Sequence, residues 1–227
     1  MIFFSNKLKF FGIGFNKTGT TTLEHIFRKL KYKIPNQWDQ EIELKNAFFK
    51  KDIKKIKKFI NKYDFFQDTP FSKLSNYVLL DCLYPNSKFI LTIRNEDEWV
   101  ESLHNFVVKF LSEKNINIKN IYDVTEKMFK EYDYIYPGYI LEMAQLYMTK
   151  YIDVNGKLKS DFNLYKNKEF LKKMYSSRNL EILKYFQMRK DQLLVIDITK
   201  EKDISKILDF LKLDYKYNFS MPHLNET

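Results

Sequence analysis

Close to the N-terminus, Gly14–Phe15–Asn16–Lys17–Thr18–Gly19–Thr20–Thr21–Thr22 gathers a lysine, four threonine hydroxyls and two glycines within nine residues. Where such a stretch opens a helix, unpaired backbone N–H groups point outward and carry partial positive charge. Gly19 lets an anion approach the main chain, Lys17 adds a full charge, and Thr18, Thr20, Thr21 and Thr22 add hydroxyl donors. In chemical terms this is a cradle for phosphate or sulfate. The common nucleotide-binding loop has glycine, four residues, glycine, then lysine and a serine or threonine. Gly14 and Gly19 keep the glycine spacing, but Thr20 follows Gly19 and the lysine stands two positions before it. Nothing here matches the usual lysine placement for the β- and γ-phosphates, so a nucleoside-triphosphate kinase or ATPase is disfavoured. The chain holds only five glycines, and Gly12, Gly14 and Gly19 fall within eight residues, which implies a backbone requirement at this point.

The elements that must position this loop are legible as alternating strands and helices. Lys9 to Gly14 reads as a short buried strand, and a helix begins near Gly19 with Leu23, Ile26, Phe27 and Leu30 on one face. Thr21 and Glu24 have the spacing of a capping box. Lys50 to Lys62 is lysine-rich with Ile53, Ile56 and Ile60 at helical spacing; an ordinary surface helix is favoured there over a membrane- or nucleic-acid-binding one. Phe65–Phe66–Gln67 reads as a short strand ending at Asp68–Thr69–Pro70, and Leu74, Tyr77, Val78 and Cys82 mark a helix. Lys88 to Ile93 is a buried strand ending at Arg94. The next helix has Asn95 as N-cap, acids in its first turn, and Trp99, Leu103, Phe106, Val107 and Phe110 on its apolar face. Residues 112–190 read as mostly helical, with loops near 115–120, Pro137–Gly138 and 153–159. Gln192 to Asp197 is another strand, and Ile204, Ile207, Leu208 and Leu211 mark a final helix. This alternation predicts an α/β fold with a largely parallel sheet, whose ligands bind at the carboxyl ends of the strands.

Composition bounds the partners. The 227 residues carry a formal net charge of +10, which suits a polyanionic ligand. Only Arg28, Arg94, Arg178 and Arg189 are arginine, and Lys, Asn, Ile, Phe and Tyr are abundant together, as AT-rich coding produces. The lysine count therefore points only weakly to nucleic acid, and no recognisable nucleic-acid motif is present. The single Cys82 excludes an internal disulfide and fits a reducing compartment. No signal peptide and no membrane span are expected, and the expected location is cytoplasmic.

Lys17–Thr18–Gly19–Thr20–Thr21 at the end of the first strand resembles the 5′-phosphosulfate loop of the sulfotransferases, which use 3′-phosphoadenosine 5′-phosphosulfate (PAPS). Members of that family carry an arginine at the end of a central strand and a serine eight residues later, and Arg94 and Ser102 have that spacing. Tyr185–Phe186, Leu193 to Asp197 and Pro222–His223–Leu224–Asn225 are similar to the C-terminal part of soluble sulfotransferase-like proteins; residues 112–176 carry little resemblance. The resemblance implies a three-layer P-loop-like fold, a central mainly parallel sheet flanked by helices, in a single domain over 1–227 with 112–190 facing the acceptor. It implies transfer of a sulfuryl group from PAPS to a hydroxyl or amine on a small-molecule or glycan acceptor, release of 3′,5′-ADP, and no metal. Asn16, Lys17, Thr18, Gly19, Thr20, Thr21 and Thr22 would bind the phosphosulfate, with Lys17 on the departing oxygen, while Arg94 and Ser102 would hold the 3′-phosphate. The family commonly places a histidine or glutamate base between the two motifs. Of the three histidines, His25 and His104 fall in helices and His223 lies in the tail, where it is a possible acceptor-side residue. The matching place holds Asp68, expected either as the base or as the N-cap of a helix near Phe71, roles that can coexist. The alternatives are a nucleotide or small-molecule kinase with an unusual loop, or a non-catalytic anion- or nucleic-acid-binding module.

Overall fold

The computed structural model describes residues 8–132, 134–145, 150–222 and 224. Among them, strands form at Phe10–Gly12 (β1), Phe65–Phe66 (β2), Lys88–Thr92 (β3), Lys150–Ile152 (β4), Leu158–Ser160 (β5) and Leu193–Ile196 (β6). Helices run over Thr20–Lys29 (α1), Gln37–Lys50 (α2), Ile53–Ile60 (α3), Asn76–Leu83 (α4), Glu96–Ser112 (α5), Glu126–Glu131 (α6), Tyr139–Gln145 (α7), Lys168–Tyr185 (α8) and Ser205–Leu211 (α9). The chain folds into two compact units. One is built from residues up to Arg94 and from Asn179 onward, the other from Asn95 to Arg178.

The first unit holds a four-stranded parallel sheet in the order β2-β1-β3-β6. Side chains alternate across a strand, so neighbouring apolar residues enter opposite faces. Phe11, Phe66, Phe89 and Leu91 pack with Leu44 and Phe48 of α2, Ile56 and Ile60 of α3, Leu80 of α4 and Ile182 of α8. Phe10, Phe65, Ile90 and Ile196 pack with Leu23, Ile26 and Phe27 of α1 and Ile207, Leu208 and Leu211 of α9. Phe27 stacks on Phe65 with ring centroids 3.8 Å apart. Burying one such ring contributes about 2–3 kcal/mol. The α/β fold with a parallel sheet anticipated from the strand–helix alternation is thus present, and helices on both faces give the three layers that the resemblance implies.

Local details depart from the sequence reading. The capping box at Thr21 and Glu24 does not form. Gly19 is the N-cap, no side chain caps α1, and Glu24 instead accepts from Arg28 Nε at 2.8 Å. No helix starts at Phe71, because residues 69–75 form turns; α4 starts at Asn76, and the Asp68 carboxylate accepts from Thr69 N at 2.8 Å. The lysine-rich segment breaks at Lys51 (φ 55°), and Asp52 caps α3, whose Ile56, Phe59 and Ile60 enter the core. That outcome is the ordinary surface helix.

In the second unit, Asn95 caps α5 as expected, accepting from Asp97 N at 3.0 Å and Glu98 N at 3.2 Å. Trp99 of α5 stacks on Tyr175 of α8. Of the loop expected near 153–159, Leu158 and Lys159 lie in β5, and residues 153–157 form the turn of the antiparallel hairpin β4–β5. Asp153 makes its turn by accepting from Asn155 N and Lys157 N, both at 2.9 Å. A three-residue strand joined by a local Asx turn leaves too short a periodicity to read. No helix among the described residues is long and apolar enough to cross a membrane.

Candidate active site

The carboxyl ends of three adjacent strands converge in the first unit. β1 pairs in parallel with β2 on one side and β3 on the other. The loop 13–19 therefore leaves the sheet between Asp68, which follows β2, and Arg94, which follows β3. Open parallel sheets bind ligands at this edge.

The loop is shaped by its backbone. A Cβ on Gly14 would lie 2.1 Å from Thr92 Oγ1 and 2.4 Å from Thr92 O, so only glycine fits there. Thr18 is fully buried, and its hydroxyl donates to Phe15 O at 2.5 Å and meets Thr92 Oγ1 at 2.6 Å. That hydroxyl ties the loop to β3, so Thr18 can reach a ligand only through its backbone. Lys17 (φ 69°) and Gly19 (φ 88°) both adopt the left-handed conformation. Their turn leads into α1, whose N-cap is Gly19, a residue with no side chain to cap the helix. The start of a ten-residue helix behind a glycine cap fits an anion. Asn16, Lys17 and Gly19 are half-buried, Thr21 is exposed, and Thr22 is buried.

Asp68 (φ 58°) stands beside this turn. Its Oδ2 accepts from the Thr20 hydroxyl at 3.2 Å, and its Oδ1 accepts from Thr69 N at 2.8 Å. Behind it, α2 presents three polar residues from the face that, one turn later, buries Leu44, Ala47 and Phe48. Gln40 Nε2 donates to Gln67 O and Thr69 O, both at 2.7 Å, and Gln37 Nε2 donates to Glu41 Oε1 at 2.6 Å. Glu41 is buried; desolvation, and secondarily the Asp68 charge, push its carboxyl up to about 8 from the ordinary 4.5. Lys73, also buried, donates to Asn16 Oδ1 at 3.4 Å and so links the segment after Asp68 to the loop.

The structure thus gathers Asn16, Lys17, Thr18, Gly19, Thr20, Thr21, Thr22, Asp68 and Arg94 into the first unit. Ser102 lies in the second, buried on α5. His223 lies outside the described residues. Gln40, Glu41 and Lys73 are absent from the sequence reading. The available signal was Gln37, Gln40 and Glu41 continuing the helical register of Leu44, Ala47 and Phe48, which marks polar residues turned inward. No group of three or more His, Cys, Asp or Glu that could hold a metal occurs among the described residues.

A parallel α/β sheet with an anion-suited loop at its carboxyl edge defines a class of group-transfer and nucleotide-binding proteins. The family described as Sulfotransferase domain matches residues 9–227, so nearly the whole chain is covered and both units fall within one family domain. The chain belongs to the sulfotransferase domain family and is a transferase of sulfuryl groups. A search among curated proteins finds no match.

Proposed function

We propose that the protein transfers the sulfuryl group of PAPS to a hydroxyl or amine on a small-molecule or glycan acceptor, releasing 3′,5′-ADP, in the cytoplasm and without a metal. The observation that carries this reading is the left-handed turn at Lys17 and Gly19, which opens α1 on a glycine N-cap. The donor supplies an activated sulfuryl group on a phosphate leaving group. The backbone N–H groups of Gly19, Thr20, Thr21 and Thr22 hold the 5′-phosphate and sulfate oxygens. Lys17 Nζ stabilises the bridging oxygen as the S–O bond to the phosphate breaks and the S–O bond to the acceptor forms. Catalysis of this kind rests on positioning and charge stabilisation. Asp68, fixed by Thr20 and Thr69, takes the acceptor proton. Arg94 and Ser102 hold the 3′-phosphate, and His223 and residues 112–190 serve the acceptor side.

The test is transfer of labelled sulfate from PAPS across an acceptor library, with calorimetry of 3′,5′-ADP binding. The expected result is saturable nucleotide binding and labelled product without added metal. Absence of any 3′,5′-ADP binding overturns the reading. Mg²⁺-dependent ATP hydrolysis in its place would identify a kinase-like enzyme, and salt-sensitive DNA binding without nucleotide affinity would identify a binding module.

A further inference from the structure

The mechanism above uses the carboxyl group of Asp68; that of Glu41, buried in the same unit, interacts with it. Asp68 bonds to Thr20 at the start of α1. Glu41 stands behind it on α2, held by Gln37, while the neighbouring Gln40 clamps the backbone on both sides of Asp68 through Gln67 O and Thr69 O. Two carboxylates in one water-poor site resist ionising together, and the more buried one keeps its proton. Glu41 is 7% exposed, while Asp68 is half-buried and has the donors of Thr69 N and the Thr20 hydroxyl. The charged groups acting on Glu41 are Asp68, which opposes its ionisation, and Lys73, which favours it less strongly. Glu24 of α1 reaches the same network through Gln67 Nε2, at 3.1 Å, and Gln67 in turn donates to Gln37 Oε1 at 3.3 Å.

We propose that Glu41 is a positioning residue that holds a proton behind Asp68, so that one carboxylate charge, and not two, stands beside the anion-binding turn. Asp68 then remains the acceptor of the substrate proton, and Glu41 acts through it. Neutral Glu41 spares the donor a second repulsive charge. When Glu41 ionises, the turn loses affinity for anions although every loop residue is still in place. The effect on the donor rests on the sulfuryl-transfer reading; the location of the proton does not.

The experiment has two arms on the full chain. Carbon-13 NMR of glutamate-labelled protein is followed from pH 5 to 10. One glutamate carboxyl is expected to titrate near 8 rather than 4.5; the signal should vanish in Glu41→Gln, which keeps the acceptor oxygen for Gln37, and its midpoint should fall in Asp68→Asn. In the second arm, 3′,5′-ADP binding is measured at pH 7 and pH 9. Wild-type affinity is expected to fall about tenfold and that of Glu41→Gln by no more than about twofold, since only the wild type gains a negative charge in the site over this range. If all glutamates titrate in the ordinary range, or if wild type and Glu41→Gln lose affinity equally, the proposal is overturned. If the wild type binds no 3′,5′-ADP at pH 7, the donor reading fails, and the NMR titration alone then decides where the proton sits.

Discussion

Lys17 and Gly14 sit three residues apart and predict different failures. Lys17 is half-buried at the mouth of the turn, with its backbone already in the left-handed region. On the proposed mechanism, Lys17→Ala removes the charge on the departing oxygen without adding bulk. Turnover should fall by about 10²–10³-fold, the usual loss for one transition-state donor, with a melting temperature close to wild type. Gly14→Ala acts on the fold instead. Its methyl would lie 2.1 Å from the Thr92 hydroxyl and 2.4 Å from the Thr92 backbone carbonyl, which β3 holds in place. A stability loss of about 3 kcal/mol or more is expected, read from the urea midpoint. The three clustered glycines are therefore not equivalent. Gly19 is required by its φ of 88°, Gly14 by the close approach of β3, and a Cβ on Gly12 would lie 2.9 Å from Gln67 Cβ. Their clustering was visible in the sequence. Which atom excludes each side chain was not, because Thr92 and Gln67 are distant in the chain.

At the scale of elements, the strands were legible because each is a short apolar run ending in a polar residue, and the order β2-β1-β3-β6 then sets what meets at the carboxyl edge. The loop and Arg94 could be found this way. The support for Asp68 could not, since it comes from α2, whose polar residues look like a solvated face until the fold turns them inward. Gln40 tests that support. Its two shortest bonds, both 2.7 Å, go to the backbone carbonyls flanking Asp68. Gln40→Ala removes the short donor from both carbonyls and leaves Thr69 O the long 3.5 Å bond from Gln37, which costs about 1–3 kcal/mol. It should also lower kcat more than it raises KM for the donor, because Asp68 loses its fixed position while the loop does not. An unchanged kcat would show that the clamp is structural alone. The hairpin β4–β5 was missed for another reason: three-residue strands carry no usable period, and the Asp153 turn that joins them reads as any polar loop.

Over the whole molecule, two buried groups, Glu41 in the first unit and His104 in the second, respond to pH in opposite senses. In the first unit, folding raises the Glu41 carboxyl from 4.5 to about 8, chiefly by desolvation. Between those values the unfolded chain has lost a proton that the folded one keeps. Its contribution to stability is therefore full below about 4.5 and is lost as pH rises to about 8; the sum approaches about 4–5 kcal/mol if the whole shift is realised. In the second unit, burial holds the His104 imidazole below its ordinary 6.5, against the favourable bond between Nε2 and Tyr165 O. Here the unfolded chain gains a proton first, so stability is present above 6.5 and is lost as pH falls below it. Hydrogen exchange resolved along the chain separates the two. Protection of α2 should weaken from pH 5 to 8, and that of α5 should weaken from pH 7 to 5. Glu41→Gln should abolish the first trend and leave the second. His104→Gln should do the reverse. If both segments lost protection together in either variant, the two units would unfold as one cooperative body, and the opposed pH responses would be a property of the whole chain.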